Sequence, residues 1–183
     1  TRLPGVNLSL VSQEPVDKLP ADLQRRLAAH WRVDDALDAR QLVKAARALA
    51  RKFGAPLRML GALEQLQVPL AEARDALGIE GLDTRSAMNF RDKSRMKDVL
   101  NAAGVPCARH VLAHNQQEAG AFADLAGFPM VAKPPAGAGG KGTFRLDSRE
   151  DLARLLVRYP PCEHDPTLLE EFVAGAEHSF DSV

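Results

Sequence analysis

Apolar positions recur along the chain in two rhythms: a three-to-four-residue spacing that predicts helices, and short continuous runs that predict buried strands. "VNLSLVSQEP" predicts a strand ending in a turn, and "PADLQRRLAAHW" after it sets Leu23, Leu27 and Trp31 at helical spacing behind Pro20. With Asp34 or Asp35 as N-cap, "DALDARQLVKAARALARKFG" gathers Leu42, Ala46, Leu49 and Phe53 on one face and stops at Gly54. "PLRMLGALEQ" predicts a buried strand, and "VPLAEARDALG" a helix with Pro69 near its start and Gly78 past its end. Strand and helix alternation of this kind predicts an α/β layer.

The pattern breaks over residues 80–91, "EGLDTRSAMNFR", which predicts a junction between an N-terminal domain, residues 1–88, and a second domain, residues 89–183. In "DKSRMKDVLNAAG", Asp92 caps a helix whose apolar stripe is Met96, Val99, Leu100 and Ala103, closed by Gly104. "VPCARHVLAH" is extended, and "NQQEAGAFADLAG" is a helix with Asn115 and Glu118 in capping-box positions. "FPMVAK" and "TFRLD" are strands on either side of a glycine-rich loop. "SREDLARLLVRYPP" is a helix capped by Ser148, with Leu152, Leu155 and Leu156 on its apolar side, and "TLLEEFV" returns as a strand. The chain begins at Thr1 and stops inside an apparent strand, "EHSFDSV", so a segment of a longer protein is expected.

Composition narrows the classes. Twenty-four basic residues balance 24 acidic ones, which argues against nucleic acid or an anionic membrane as partner. No apolar run approaches the ~20 residues needed to cross a bilayer, and no signal-peptide pattern is present, so a cytoplasmic location is expected. Cys107 and Cys162 form no CxxC pair, and reduced thiols are the default. Only seven of the basic residues are lysines, and three of these, Lys93, Lys133 and Lys141, fall where a phosphate-binding ammonium is useful.

The loop "KPPAGAGGKG" carries the candidate chemistry. Gly137, Gly139 and Gly142 satisfy G-x-G-x-x-G, but that dinucleotide fingerprint needs a helix directly after it, and Thr143 to Asp147 reads as a strand. A Walker A loop fails too, because Gly140-Lys141 is followed by Gly142 and not by Ser or Thr. A glycine loop between two strands can cover nucleotide phosphates, as in protein kinases, although there the lysine follows the loop. Here Lys133 precedes it, placed to contact phosphate oxygens while glycine amides close over the rest. Glycine content alone fits a mobile hairpin turn equally well; the flanking strands and Lys133 favour phosphate.

Lys93 opens a helix, where a cation opposes the macrodipole and a bound anion relieves both. In "LLEEFVAGAEHSFD", Glu170 and Glu171 end a strand before a bend, which exposes backbone groups able to read an adenine edge, and Glu177 follows as an acceptor for ribose hydroxyls. A solvated acidic edge is the plain alternative for this run. Cys107, His110 and His114 form C-x2-H-x3-H, but in an extended segment Cys107 faces away from two histidines roughly 13 Å apart, so a metal site is set aside. His178 is read as structural and Trp31 as core.

The order of these features resembles the ATP-grasp superfamily, including its biotin carboxylase-like and amino-acid ligase-like members. The resemblance covers roughly residues 89 to 183 through "RDKSRMKDVLNAAGVPCARH", "GFPMVAKPPAGAGGKG" and "LLEEFVAGAEHSFD". It implies a two-lobed α/β (α+β) fold in which residues 1–88 form the preceding α/β domain, and a small nucleotide-covering lobe spans about 107–170. It also implies that Lys93 and Lys133 contact phosphate and that Gly137, Gly139, Gly140, Lys141 and Gly142 form the phosphate lid. Glu170, Glu171, Phe172 and Val173 then resemble the adenine-reading linker, with Glu177 at the ribose position.

The implied cofactors are ATP and Mg2+, with metal ligands expected beyond Val183, so no metal ligand or catalytic residue is assigned within this chain. The implied partners are a small-molecule carboxylate and a nucleophile, and homo-oligomerisation is compatible with the resemblance. The expected function is an ATP-dependent ligase that activates a carboxylate as an acylphosphate. The alternatives are a non-catalytic nucleotide-binding regulatory module and a biotin-dependent carboxylase component.

Overall fold

The computed structural model describes residues 4–137, 140–176 and 178. The chain divides after Arg91 into two compact units.

In the first unit, β1 (Ser9–Ser12) and β2 (Ala29–Arg32) pair in parallel, joined through the one-turn helix α1 (Ala21–Gln24). The predicted helix "PADLQRRLAAHW" therefore stops at Gln24, and Trp31 lies in β2, half-buried and not in the core. The 3.6-residue spacing of Leu23, Leu27 and Trp31 loses to pairing with β1, because each strand residue gains a ladder partner there.

Helix α2 (Ala39–Phe53) starts later than predicted, since Asp38, and not Asp34 or Asp35, caps it by accepting from the Arg40 amide. Gly54 ends it as expected, and Leu42, Ala45 and Ala46 are buried. Helix α3 (Gln67–Leu77) packs Leu70 and Ala73 against Leu42, and Gly78 closes it in the left-handed conformation that glycine adopts without strain.

Two sequence expectations fail here. "PLRMLGALEQ" forms no strand. The buried Arg74 guanidinium donates to the carbonyls of Met59 and Leu82, and the Gln67 amide donates to Gly61, so side chains satisfy the segment's backbone where a ladder was expected. Leu57 and Leu60 are 79% and 87% exposed, unlike residues of a buried strand. The stretch read as a break contains a helix, α4 (Thr84–Arg91), started by Asp83, which accepts from the Ser86 amide.

The second unit contains helix α5 (Lys93–Ala102) and a four-stranded antiparallel sheet in the order β3-β6-β4-β5, where β3 is His110–Ala113, β4 Met130–Lys133, β5 Phe144–Leu146 and β6 Thr167–Glu171. Helices α6 (Gln116–Ala126) and α7 (Arg149–Arg158) cover one face. Alternation along the strands sends Ala113, Met130, Ala132, Leu146 and Leu169 to that face, against Phe122, Leu152, Leu155 and Leu156. Asn115 and Ser148 cap α6 and α7 as the sequence indicates, and Gly127 follows α6.

The opposite face of the sheet carries His110 of β3, Lys133 of β4 and Glu170 of β6, and α5 lies against it. Asp92 caps α5 by accepting from the Ser94 and Arg95 amides. The predicted stripe is only partly the buried side: Met96 and Leu100 are half-buried but Val99 and Ala103 are exposed, whereas Ser94 is buried and Lys97 nearly so. Polar groups on the facing strands turn the inward side of the helix toward Lys97, since Asp98 meets His110 and Lys97 meets Glu170. Of the predicted "EHSFDSV" strand, only His178 is among the described residues, and no strand is assigned to it.

Candidate functional site

The candidate site lies within the second unit, between the N-terminal turn of α5, the end of β4, the glycine loop and the end of β6. Lys133 is the last residue of β4, and its Nζ donates to Glu170 Oε2 at 2.8 Å. Glu170 sits on β6, which pairs with β3 on one side and β4 on the other, so the acid is buried and is no solvated edge. Lys97 Nζ lies 3.5 Å from Glu170 Oε1, and Oε1 has no hydrogen bond among the described residues. Two ammonium groups thus face one buried carboxylate.

Lys93 meets the loop twice. Its backbone amide donates to the Pro135 carbonyl at 3.0 Å, and its Nζ donates to the Gly137 carbonyl at 2.6 Å. An ammonium has three donors, so holding Gly137 leaves two for an anion. Within the loop, Gly140 and Gly142 have φ of +70° and +72°, and a Cβ on Gly142 would come within 3.1 Å of the Pro134 ring. Gly137 needs no glycine on these grounds, because a Cβ there would meet only ordinary contacts. Lys141 is exposed, and Gly139 lies outside the described residues.

The end of β6 is pinned from β3's side. Arg109 donates from its amide and its Nε to the two Glu171 carboxylate oxygens at 2.8 and 2.6 Å. The Arg109 amide, and then its guanidinium, hold the Glu171 carboxyl below the usual glutamate range. The expectation of free backbone groups directly after the strand is partly overturned: the Glu171 and Phe172 amides already donate to Arg109 and Pro129 carbonyls. Val173 is the first residue past the strand whose amide has no backbone partner among the described residues. The Phe172 ring lies under the Arg145 guanidinium at 4.4 Å, while Glu177 falls outside the described residues.

The structure therefore joins Lys93 to Gly137 and Lys133 to Glu170, and adds three residues that the sequence reading missed. Lys97 had a signal, being one helical turn after Lys93 in a lysine-poor chain. Arg109 and Arg145 had none, because their roles depend on strand pairing. His110 bonds Asp98 and His114 faces Glu163, with no metal-holding group among the described residues. A cleft of about 620 Å3 in the first unit, lined by Trp31, Arg40, Lys44, Arg47, Arg51 and Glu72 among others, contains none of the predicted site residues.

Residues 92–178 match the family model described as the carbamoyl-phosphate synthase L chain, ATP binding domain. The chain is 34% identical over 130 residues to the carbamoyl phosphate synthase large chain of Kocuria rhizophila, covering 66% of this chain and 12% of that one. It is 36% identical over 161 residues to phosphoribosylamine–glycine ligase of Caulobacter vibrioides, covering 85% of this chain and 37% of that one. The chain thus spans between about a tenth and just over a third of these curated relatives. Among solved structures, L-amino acid ligase from Bacillus licheniformis shares the fold with a TM-score of 0.69 at 18% identity, over 93% of this chain and 39% of that one. The biotin carboxylase domain of Hydrogenobacter thermophilus 2-oxoglutarate carboxylase, solved with MgADP, ADP and bicarbonate, gives 0.68 at 23% identity, over 92% and 39%.

Proposed function

We propose that the chain, whose residues 92–178 match the carbamoyl-phosphate synthase L chain ATP binding domain, is the ATP-binding segment of an ATP-dependent ligase of the ATP-grasp type that activates a carboxylate as an acylphosphate. The observation that carries this reading is that Lys133 ends the strand leading into the glycine loop while Lys93 holds the Gly137 carbonyl of that loop. The residues fit a nucleotide polyphosphate, since Lys97 and Lys133 share a single buried carboxylate while Lys93 spends only one of its donors on the Gly137 carbonyl, which leaves an excess of ammonium donors. Phosphoryl transfer asks the protein mainly for positioning and charge neutralisation. Lys93 and Lys133 supply both, with Gly137, Gly139, Gly140, Lys141 and Gly142 as the cover.

Within the Glu170–Val173 stretch, Val173 offers the adenine an edge contact, since its amide has no backbone partner among the described residues, and Glu177 is the proposed ribose acceptor. Mg2+ supplies further neutralisation of the phosphates when bound. The carboxylate and the attacking amine or related nucleophile are substrate classes proposed on the same reading.

The test is ATP binding by calorimetry in the intact protein. Lys133→Met is expected to weaken ATP about tenfold or more, the scale of a charge-assisted hydrogen bond. Circular dichroism checks that the variant is folded. Unchanged affinity in a folded variant rejects Lys133 as a phosphate ligand.

A further inference from the structure

Lys133 has two demands on it. Resting on the proposed ATP-binding role, its ammonium must turn toward phosphate, yet in this structure it is the hydrogen-bonded counter-ion of Glu170. The Glu170 side chain is only 9% exposed, and leaving a buried carboxylate without a counter-ion is strongly unfavourable. The structure contains a second cation for this carboxylate. Lys97, 13% exposed, holds its Nζ 3.5 Å from Glu170 Oε1, inside ion-pair reach but without a hydrogen bond, and Oε1 is the oxygen left unpartnered.

We propose that Lys97 is a positioning residue, a standby counter-ion that takes over Glu170 when Lys133 leaves it for phosphate. The exchange needs little movement: a closure of roughly 0.7 Å brings Lys97 from 3.5 Å to the 2.8 Å at which Lys133 now sits. Charge balance also favours it. Lys97, Lys133 and Glu170 together carry one surplus positive charge; after the exchange Lys97 and Glu170 form a neutral pair and the surplus resides on Lys133. Lys97 is suited to this because α5 holds it one turn from Lys93 and on the face that meets the sheet. The neighbouring Asp98 is already engaged with His110 and does not compete for Lys97.

The first test needs no nucleotide. In the full-length protein, Lys97→Met and Lys133→Met are combined in a stability cycle read by denaturant unfolding. Each single variant keeps one cation on Glu170, and the double variant keeps none. The expected result is a double variant destabilised by clearly more than the two single effects added, with that excess abolished by E170Q, because a neutral amide needs no counter-ion. Additive effects overturn the standby role.

The second test is ATP affinity. K97M is expected to weaken ATP about tenfold, K97R to restore most of it, and K97M in the presence of E170Q to have little further effect. A lysine that merely pinned α5 to the sheet would lower stability and leave the affinity of the folded protein unchanged, which would also overturn the proposal. The two failures are distinct: an ATP affinity insensitive to K133M removes the parent reading, whereas additivity in the ligand-free cycle removes only the role of Lys97.

Discussion

Lys93 holds the glycine loop and keeps two ammonium donors for the proposed phosphate. Its amide and ammonium hold the Pro135 and Gly137 carbonyls, so the start of α5 and the start of the glycine loop are tied at two points. Lys93→Met keeps the amide contact and deletes the ammonium one. With the tether halved, trypsin is expected to cut after the exposed Lys141 faster than in the unsubstituted protein, at a nearly unchanged thermal midpoint. Equal cleavage rates would mean that the ammonium contact does not restrain the loop.

At the scale of elements, α5 matters most because it delivers both Lys93 and Lys97. Its first turn depends on Asp92, whose carboxylate accepts from the Ser94 and Arg95 amides. Asp92→Ala is expected to cost about 0.5–2 kcal/mol of stability, measured by denaturant unfolding. A loss well below that range would show that packing on the sheet sets the helix start without the cap. The cap was legible in the sequence, as were those at Asn115 and Ser148, because a capping residue acts on amides two or three positions away. The buried face of α5 was not legible. Its apolar stripe pointed to Met96, Val99 and Leu100, but a buried glutamate on β6 draws Lys97 inward, and that depends on a partner far along the chain. Trp31 and the "PLRMLGALEQ" segment failed for the same kind of reason. Strand pairing with β1 decided the first, and the Arg74 guanidinium the second. Of the site, the glycine loop, Lys93 and Lys133 were visible as local patterns, whereas Arg109 and Arg145 acquire their roles only through pairing across the sheet.

For the whole molecule, an even balance of 24 basic and 24 acidic residues hides an acid sensitivity distributed over both units. Hydrogen bonds hold five carboxyls below their ordinary range: Asp38 by the Arg40 side chain, Asp83 by the Ser86 amide, Glu118 by the His114 amide, Asp151 by the Ser148 hydroxyl, and Glu171 by the Arg109 amide. Each folded value lies below its unfolded one. The stabilisation is therefore complete above about pH 4–5, where the unfolded carboxyls are also ionised, and is lost as the pH falls through the folded values. Glu118→Gln and Glu171→Gln test this directly. Both variants are expected to melt below the unsubstituted protein at about pH 6, and the difference should be smaller at about pH 3, on the way down through the folded values. An offset that stays the same at both pH values would show that these side chains act through shape and not through charge. For Glu171 the result bears on the site as well, because the carboxylate that Arg109 holds is the one that fixes the end of β6, from which the proposed adenine contacts begin.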